Sequence, residues 1–184
     1  MARPRTTKER QAPPTTALGY KVDEVASALQ KEIRRSDIEA AVFWGLLLFK
    51  KSPTYAWKRV LTTASEDIGL AAPEVVAQVA ALSWAWTCAK AGAWYASPHP
   101  LTLAIVLLCR APKDTTVEDL QQVVLQQIKA GVRREMPSYA VDQHTAAGKA
   151  AGKTDRDWYA GRLTMIPANE WTRRIWELRP EWKP

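Results

Sequence analysis

An all-α protein is the fold class this sequence predicts, on three observations. Apolar residues recur at three- and four-residue intervals over much of residues 22–131, the period that places them on one face of a helix. Few segments show the apolar and polar alternation of a half-buried strand. Serine, threonine and proline stand where the periodic runs begin, and glycine where several of them end. The expected architecture is a compact bundle of about six helices. Short connections favour antiparallel neighbours, and an irregular, short-helix carboxy-terminal segment is expected to dock on the bundle.

The first helix is expected to carry Val22, Val25, Ala26, Leu29 and Ile33 on one face. Ser36 is expected to cap the second, its hydroxyl accepting from the Glu39 N–H while Glu39 reaches back, and that helix runs to about Phe49. Pro53 suits the first turn of a third, where a missing N–H costs nothing; the run continues through Tyr55 and Ser65 until Gly69 breaks it. Pro73 opens a fourth, apolar on more than one face, to Ala91 or Trp94. Leu101 to Cys109 is the fifth. Thr116, with Asp119, is expected to cap a sixth that carries Leu120, Val123, Val124 and Ile128 to Gly131. Beyond it, Gly148, Gly152 and Gly161 suggest short helices and loops, with Trp158, Tyr159, Trp171, Ile175, Trp176 and Trp182 as large apolar anchors.

At 184 residues the chain is long enough for one domain with a sizeable apolar centre. Residues 1–19, with Pro4, Pro13, Pro14 and four threonines, bury too little to offset ordering entropy and are read as a flexible basic arm. Residues 20–184 are read as a single helical domain. Its helical core covers 20–131, and a basic, glycine-containing segment with a tryptophan-rich tail covers 132–184. Lys50, Lys51, Lys90 and Arg110 interrupt the richest apolar stretches, so no membrane span is expected. The amino terminus has no apolar run of the secretory kind, and a cytoplasmic location is expected. Cys88 and Cys109 fall inside apolar helical patterns and read as reduced, buried thiols.

The net charge of +7 is unevenly placed. Residues 21–128 hold eleven basic and eleven acidic side chains, so the excess lies at the two ends. Such a distribution suits a polyanion-binding protein and equally an ordinary soluble one.

Four segments carry a further signal: Ser36-Asp37-Ile38-Glu39-Ala40-Ala41 with Trp44; Ala64-Ser65-Glu66-Asp67-Ile68-Gly69-Leu70-Ala71-Ala72-Pro73; Ala111-Pro112-Lys113; and Pro137-Ser138-Tyr139-Ala140-Val141-Asp142-Gln143-His144-Thr145, followed by Gly148 and Gly152. In this order and spacing the chain, over roughly residues 21 to 162, resembles the carboxy-terminal helical region of the MgsA/RarA family of AAA+ ATPases. The resemblance implies an oligomerisation region of proteins that act at stalled replication forks and in recombination and that assemble as tetramers. It implies a structural role for Ser65, Glu66, Asp67 and Gly69, and places Asp142 and His144 in a second motif. Only about twenty residues precede the resembling part, so ATP-driven remodelling is not implied. A separate AAA+ ATPase chain or another replication protein is the implied partner.

Three chemistries were weighed on the residues themselves. Gly148 to Thr154 resembles a phosphate-binding loop, but the first glycine falls one position late for the loop to wrap a phosphate. Asp142 and His144, with Ser138, suggest a small hydrolase, although sequence proximity is weak support for a triad. Two histidines supply too few ligands for zinc chemistry. No catalytic residue, metal or cofactor is expected. Arg133, Arg134, Lys149, Lys153, Arg156 and Arg162 are the candidate nucleic-acid contacts, since clustered cations give salt-sensitive, sequence-independent affinity. Trp158 and Tyr159, if exposed, add stacking surfaces.

Overall fold

The computed structural model describes residues 14–89 and 97–184 and is all-α, with no β-strand among the described residues. The chain divides into two compact units, one ending at Ala130 and the other spanning Gly131–Pro184. The first contains α1 (Val22–Arg35), α2 (Ile38–Lys51), α3 (Pro53–Thr63), α4 (Pro73–Cys88), α5 (His99–Arg110) and α6 (Thr116–Lys129). A π-helical turn, Ala64–Ile68, and a 3₁₀ turn, Gly69–Ala71, join α3 to α4.

Leu29 and Ile33 of α1, Leu48 of α2, Val60 of α3, Val79 of α4 and Leu101, Ile105 and Leu108 of α5 are fully buried and form one core. Gly45 lets α2 approach α5: a Cβ there would stand 2.3 Å from the Ile105 Cδ1. Trp57 and Trp86 close the other end of the core with ring centroids 5.9 Å apart.

Three local features differ from the sequence-based expectation. Ser36 does not cap α2. It adopts φ 61°, and the N–H groups of Ser36 and Asp37 donate to the carbonyls of Ile33 and Glu32. This is a Schellman ending for α1, which frees Asp37 to cap α2 by accepting from the Ala40 N–H at 3.0 Å. At α6 the cap position is Thr115, one residue earlier than expected; its hydroxyl donates to Asp119, and the Asp114 carboxylate accepts from the Thr116 N–H. The third difference lies in the arm, whose residues 14–19 fold into a tight turn. The Thr16 N–H donates to the Tyr20 carbonyl, the Val22 N–H donates to the Pro14 carbonyl, and Thr16 is buried. The rest of that arm, and the end of the fourth helix expected at Ala91 or Trp94, lie outside the described residues.

The second unit contains a 3₁₀ turn (Ser138–Ala140), α7 (Ala146–Ala150), α8 (Asp155–Leu163), α9 (Glu170–Leu178) and a last 3₁₀ turn (Pro180–Trp182). Tyr159 is its buried centre, in ring contact with Trp158, Trp176 and Trp182.

Candidate functional site

In the first unit the motif residues converge. The π-helical turn closes with the Gly69 N–H donating to the Ala64 carbonyl, and Gly69 takes φ 43°, ψ −116°, a conformation open to glycine alone. That geometry turns Asp67 inward, where it is 1% exposed. The Gln30 amide of α1 donates to Glu66 Oε2 at 2.8 Å and to Asp67 Oδ2 at 2.9 Å. Arg34 Nε donates to Asp67 Oδ1 at 2.6 Å, and Arg59 of α3 donates to the Gln30 carbonyl oxygen. One amide thus orients two carboxylates and a guanidinium, with a second guanidinium completing the set.

This polar seam also holds the start of α6. The Asp114 N–H donates to the Asp67 carbonyl at 2.9 Å. Nearby, Lys113 Nζ donates to the carbonyls of Leu108, Cys109 and Ala111 and to the Ser36 hydroxyl, capping the end of α5. Desolvation holds the Lys113 pKa below the usual lysine value, while Asp67 works in the opposite direction. Burial pushes the Cys109 thiol up to about 11. Serine-aspartate, serine-glutamate-aspartate and alanine-proline-lysine segments, far apart in the chain, therefore meet at one place. Gln30, Arg34 and Arg59 complete it, and sequence reasoning missed Gln30 and Arg34 because no motif or local spacing marks them. Ser65 turns elsewhere and donates to the Leu61 carbonyl. Its side chains tie α1, α3, the π-helical turn and the segment before α6 together, so the seam is an anchor.

What the seam anchors is an open surface. No side chain of α6 is buried. Leu120, Val123 and Ile128 are each more than half exposed, and Val117, Val124 and Leu125 are exposed as well. From Leu120 to Ile128 the helix carries no charged residue; its polar positions are Gln121, Gln122, Gln126 and Gln127.

In the second unit Asp142 organises its own loop. Its Oδ1 accepts from the His144 N–H and its carbonyl accepts from the Thr145 N–H and hydroxyl, while the Thr145 hydroxyl accepts from the Gly148 N–H. The first of these bonds holds the Asp142 carboxyl below its usual range. The His144 imidazole is exposed, 3.5 Å from Asp142 Oδ2 and edge-on to Trp158. Arg133, Arg134, Lys149, Lys153 and Arg156 are exposed. Lys153 and Arg156 flank Asp157, whose carboxyl is held low chiefly by the Thr154 N–H. Arg162 is placed differently: its guanidinium lies over the rings of Trp158 and Tyr159 at 5.0 and 4.7 Å and donates to the Thr172 hydroxyl.

The family model described as "MgsA AAA+ ATPase C terminal" matches residues 35–167, a span that takes in the seam's Arg59, Glu66, Asp67 and Lys113, together with α6 and the Asp142 loop, but begins after Gln30 and Arg34. The chain belongs to this family. The MgsA-type region is also similar to Replication-associated recombination protein A of Haemophilus influenzae, 34% identical over 128 residues, or 68% of this chain and 27% of the relative. It is similar to the Bacillus subtilis protein of the same name, 31% identical over 131 residues, or 71% and 30%. An uncharacterized AAA domain-containing protein of Mycobacterium tuberculosis is 35% identical over 134 residues, or 70% and 28%. The chain therefore matches less than a third of the length of these curated relatives. No helix among the described residues is long and apolar enough to cross a membrane.

Proposed function

We propose that this chain is a non-catalytic assembly module of the MgsA/RarA type, serving DNA replication, recombination and repair, and that it self-associates through α6. The observation that carries the reading is the exposed apolar strip of Leu120, Val123, Val124 and Ile128. A second copy is the occupant that suits it. The strip has no charge to repel its own image, and glutamine amides both donate and accept, so they can pair with their like. The relatives' role in replication-associated recombination, as their name states it, supports the cellular setting, and the family's AAA+ context supports a separate ATPase chain as a further partner.

Light scattering over a dilution series tests this. The wild-type chain is expected to show the mass of two or more copies at micromolar concentration, four being the state the family resemblance suggests, and Leu120→Glu with Val124→Glu is expected to return it to one. A wild-type mass of one copy throughout would overturn the reading.

A second reading rests on a different observation, the exposed cations Arg133, Arg134, Lys149, Lys153 and Arg156 of the second unit. They support sequence-independent contact with nucleic acid, with Arg162 holding Trp158 in place beside them. On single strands each neutralised phosphate contributes about −0.7 to the salt slope. Replacing Arg133, Lys149, Lys153 and Arg156 by alanine is expected to flatten that slope by about 2 to 3.

A further inference from the structure

Away from the α6 strip, an open groove of about 440 Å³ runs between α3 and α4. Its floor is Trp57 and Trp86, each 2% exposed. Hydroxyls rim both walls, Thr54 and Thr62 from α3 and Ser83 and Thr87 from α4. The Thr87 hydroxyl donates to the Ser83 carbonyl and keeps its lone pairs for another donor. Lys58 is the one charged side chain that lines the groove among the described residues.

We propose that this groove binds an extended segment of a partner protein in which an acidic residue is flanked by apolar ones. Length is the first argument. The α3 wall is 11 residues long, about 16 Å at 1.5 Å per residue, which matches about five residues of extended chain at 3.3 Å each. Chemistry is the second. Hydroxyls both donate and accept, so a rim of them answers the alternating N–H and C=O groups of a peptide backbone wherever these fall. Leu61, half-buried in the lining beside the two tryptophans, is the apolar surface that receives an apolar side chain. Charge is the third: the Lys58 ammonium, with no lining carboxylate among the described residues to neutralise it, selects a carboxylate and disfavours a basic segment. A stacked base does not fit the floor, because both indoles are packed too deeply to offer a ring face. The groove is independent of self-association, since it uses neither α6 nor the seam.

The test uses fluorescence anisotropy with two labelled peptides, Phe-Asp-Asp-Leu-Phe and its counterpart Phe-Lys-Lys-Leu-Phe. The acidic peptide is expected to bind the whole chain saturably and the basic one weakly. Lys58 is exposed, so Lys58→Glu leaves the fold intact. That variant is expected to weaken the acidic peptide by about tenfold or more and to strengthen the basic one. Ser83→Ala is expected to weaken the acidic peptide with no change of charge preference. Binding of the acidic peptide weaker than about 1 mM overturns the proposal. So does a Lys58→Glu variant that treats both peptides as the wild type does. A single-stranded oligonucleotide that competes fully and loses binding in Lys58→Glu would assign the groove to nucleic acid instead.

Discussion

Arg34 and Asp67 stand 33 positions apart in the chain and meet through a single 2.6 Å bond from Nε to Oδ1, with one partner 46% exposed and the other 1%. The two ends of this pair are not equivalent. Removing the buried carboxylate leaves the Gln30 amide on Glu66 and returns the half-exposed guanidinium to water, whereas removing Arg34 leaves a buried charge held by the Gln30 amide without its cation. Asp67→Ala is therefore expected to cost about 2 to 3 kcal/mol through the lost charged hydrogen bonds, and Arg34→Met about 3 to 5 kcal/mol because it leaves a buried carboxylate without its cation. Urea unfolding followed by circular dichroism reads both. Equal losses would mean that the bond itself, and not the stranded buried charge, sets the cost.

The α6 strip predicts the opposite pattern. Because Leu120 and Val124 are exposed in a single copy, their replacement by glutamate is expected to alter monomer stability by no more than about 0.5 kcal/mol. Dilution-dependent unfolding gives the check: the wild-type midpoint rises with protein concentration, and that of the double variant does not. A large loss at every concentration would place the strip in the interior of a single chain.

Cys109 and Cys88 are expected to separate cleanly in reactivity. Cys88, expected from its apolar surroundings in the sequence to be buried, is exposed at the last position of α4, while Cys109 is buried and its thiol is held protonated up to about pH 11. Iodoacetamide at pH 8 is expected to add one label to the folded chain and two in urea, read by mass spectrometry. A stability consequence follows with a definite sign. Unfolding returns the thiol to its ordinary value of 9.0, so between pH 9 and 11 the unfolded chain binds fewer protons and stability falls. The depressed Lys113 acts the other way as pH approaches its ordinary 10.5. Cys109→Ala is expected to remove the downward component, visible as a flatter unfolding midpoint across that window.

Gly148 and Gly152 make a matched comparison. A Cβ at Gly148 would lie 1.7 Å from the Asp142 carbonyl oxygen, a backbone atom that cannot swing aside. Gly152 has open space around it and only its φ of +66° against substitution. Gly148→Ala is expected to displace the 142–148 turn at a cost of about 3 kcal/mol, and Gly152→Ala to cost about 1 kcal/mol. Amide chemical shifts of residues 142–148 distinguish the two, moving widely in the first variant and little in the second.

Much of the helical framework was legible in the sequence, and the limits have physical causes. Pro53 and Pro73 mark the starts of α3 and α4 because a missing N–H is harmless at a first helical position. Ser36 misled because a Ser-x-x-Glu spacing describes a cap only if the serine is extended, and here the Schellman ending of α1 fixes it left-handed. Periodicity assigned Leu120, Val123, Val124 and Ile128 to one helix face. It carried no information on whether that face meets its own chain, so the exposure of α6 is visible only in the folded protein. The partners of Glu66 and Asp67 were hidden for a related reason: Gln30 and Arg34 sit on another helix and read individually as solvated polar residues. Arg162 looked like any other cation in a basic segment until Trp158 and Tyr159 were seen beneath it.

The π-helical turn at Ala64–Ile68 also bears on the genetics of this region. Such a turn is an α-helix with one residue too many in its hydrogen-bond ladder. Deleting one residue there would let α3 run on as regular helix with every backbone bond satisfied. It would also rotate whatever follows by about 100°, carrying the downstream side chains off the faces they occupy. A change that is locally silent in helix content would thus scramble the connection to α4 and α6, and natural variants in this stretch are expected to keep its length even where they change its letters.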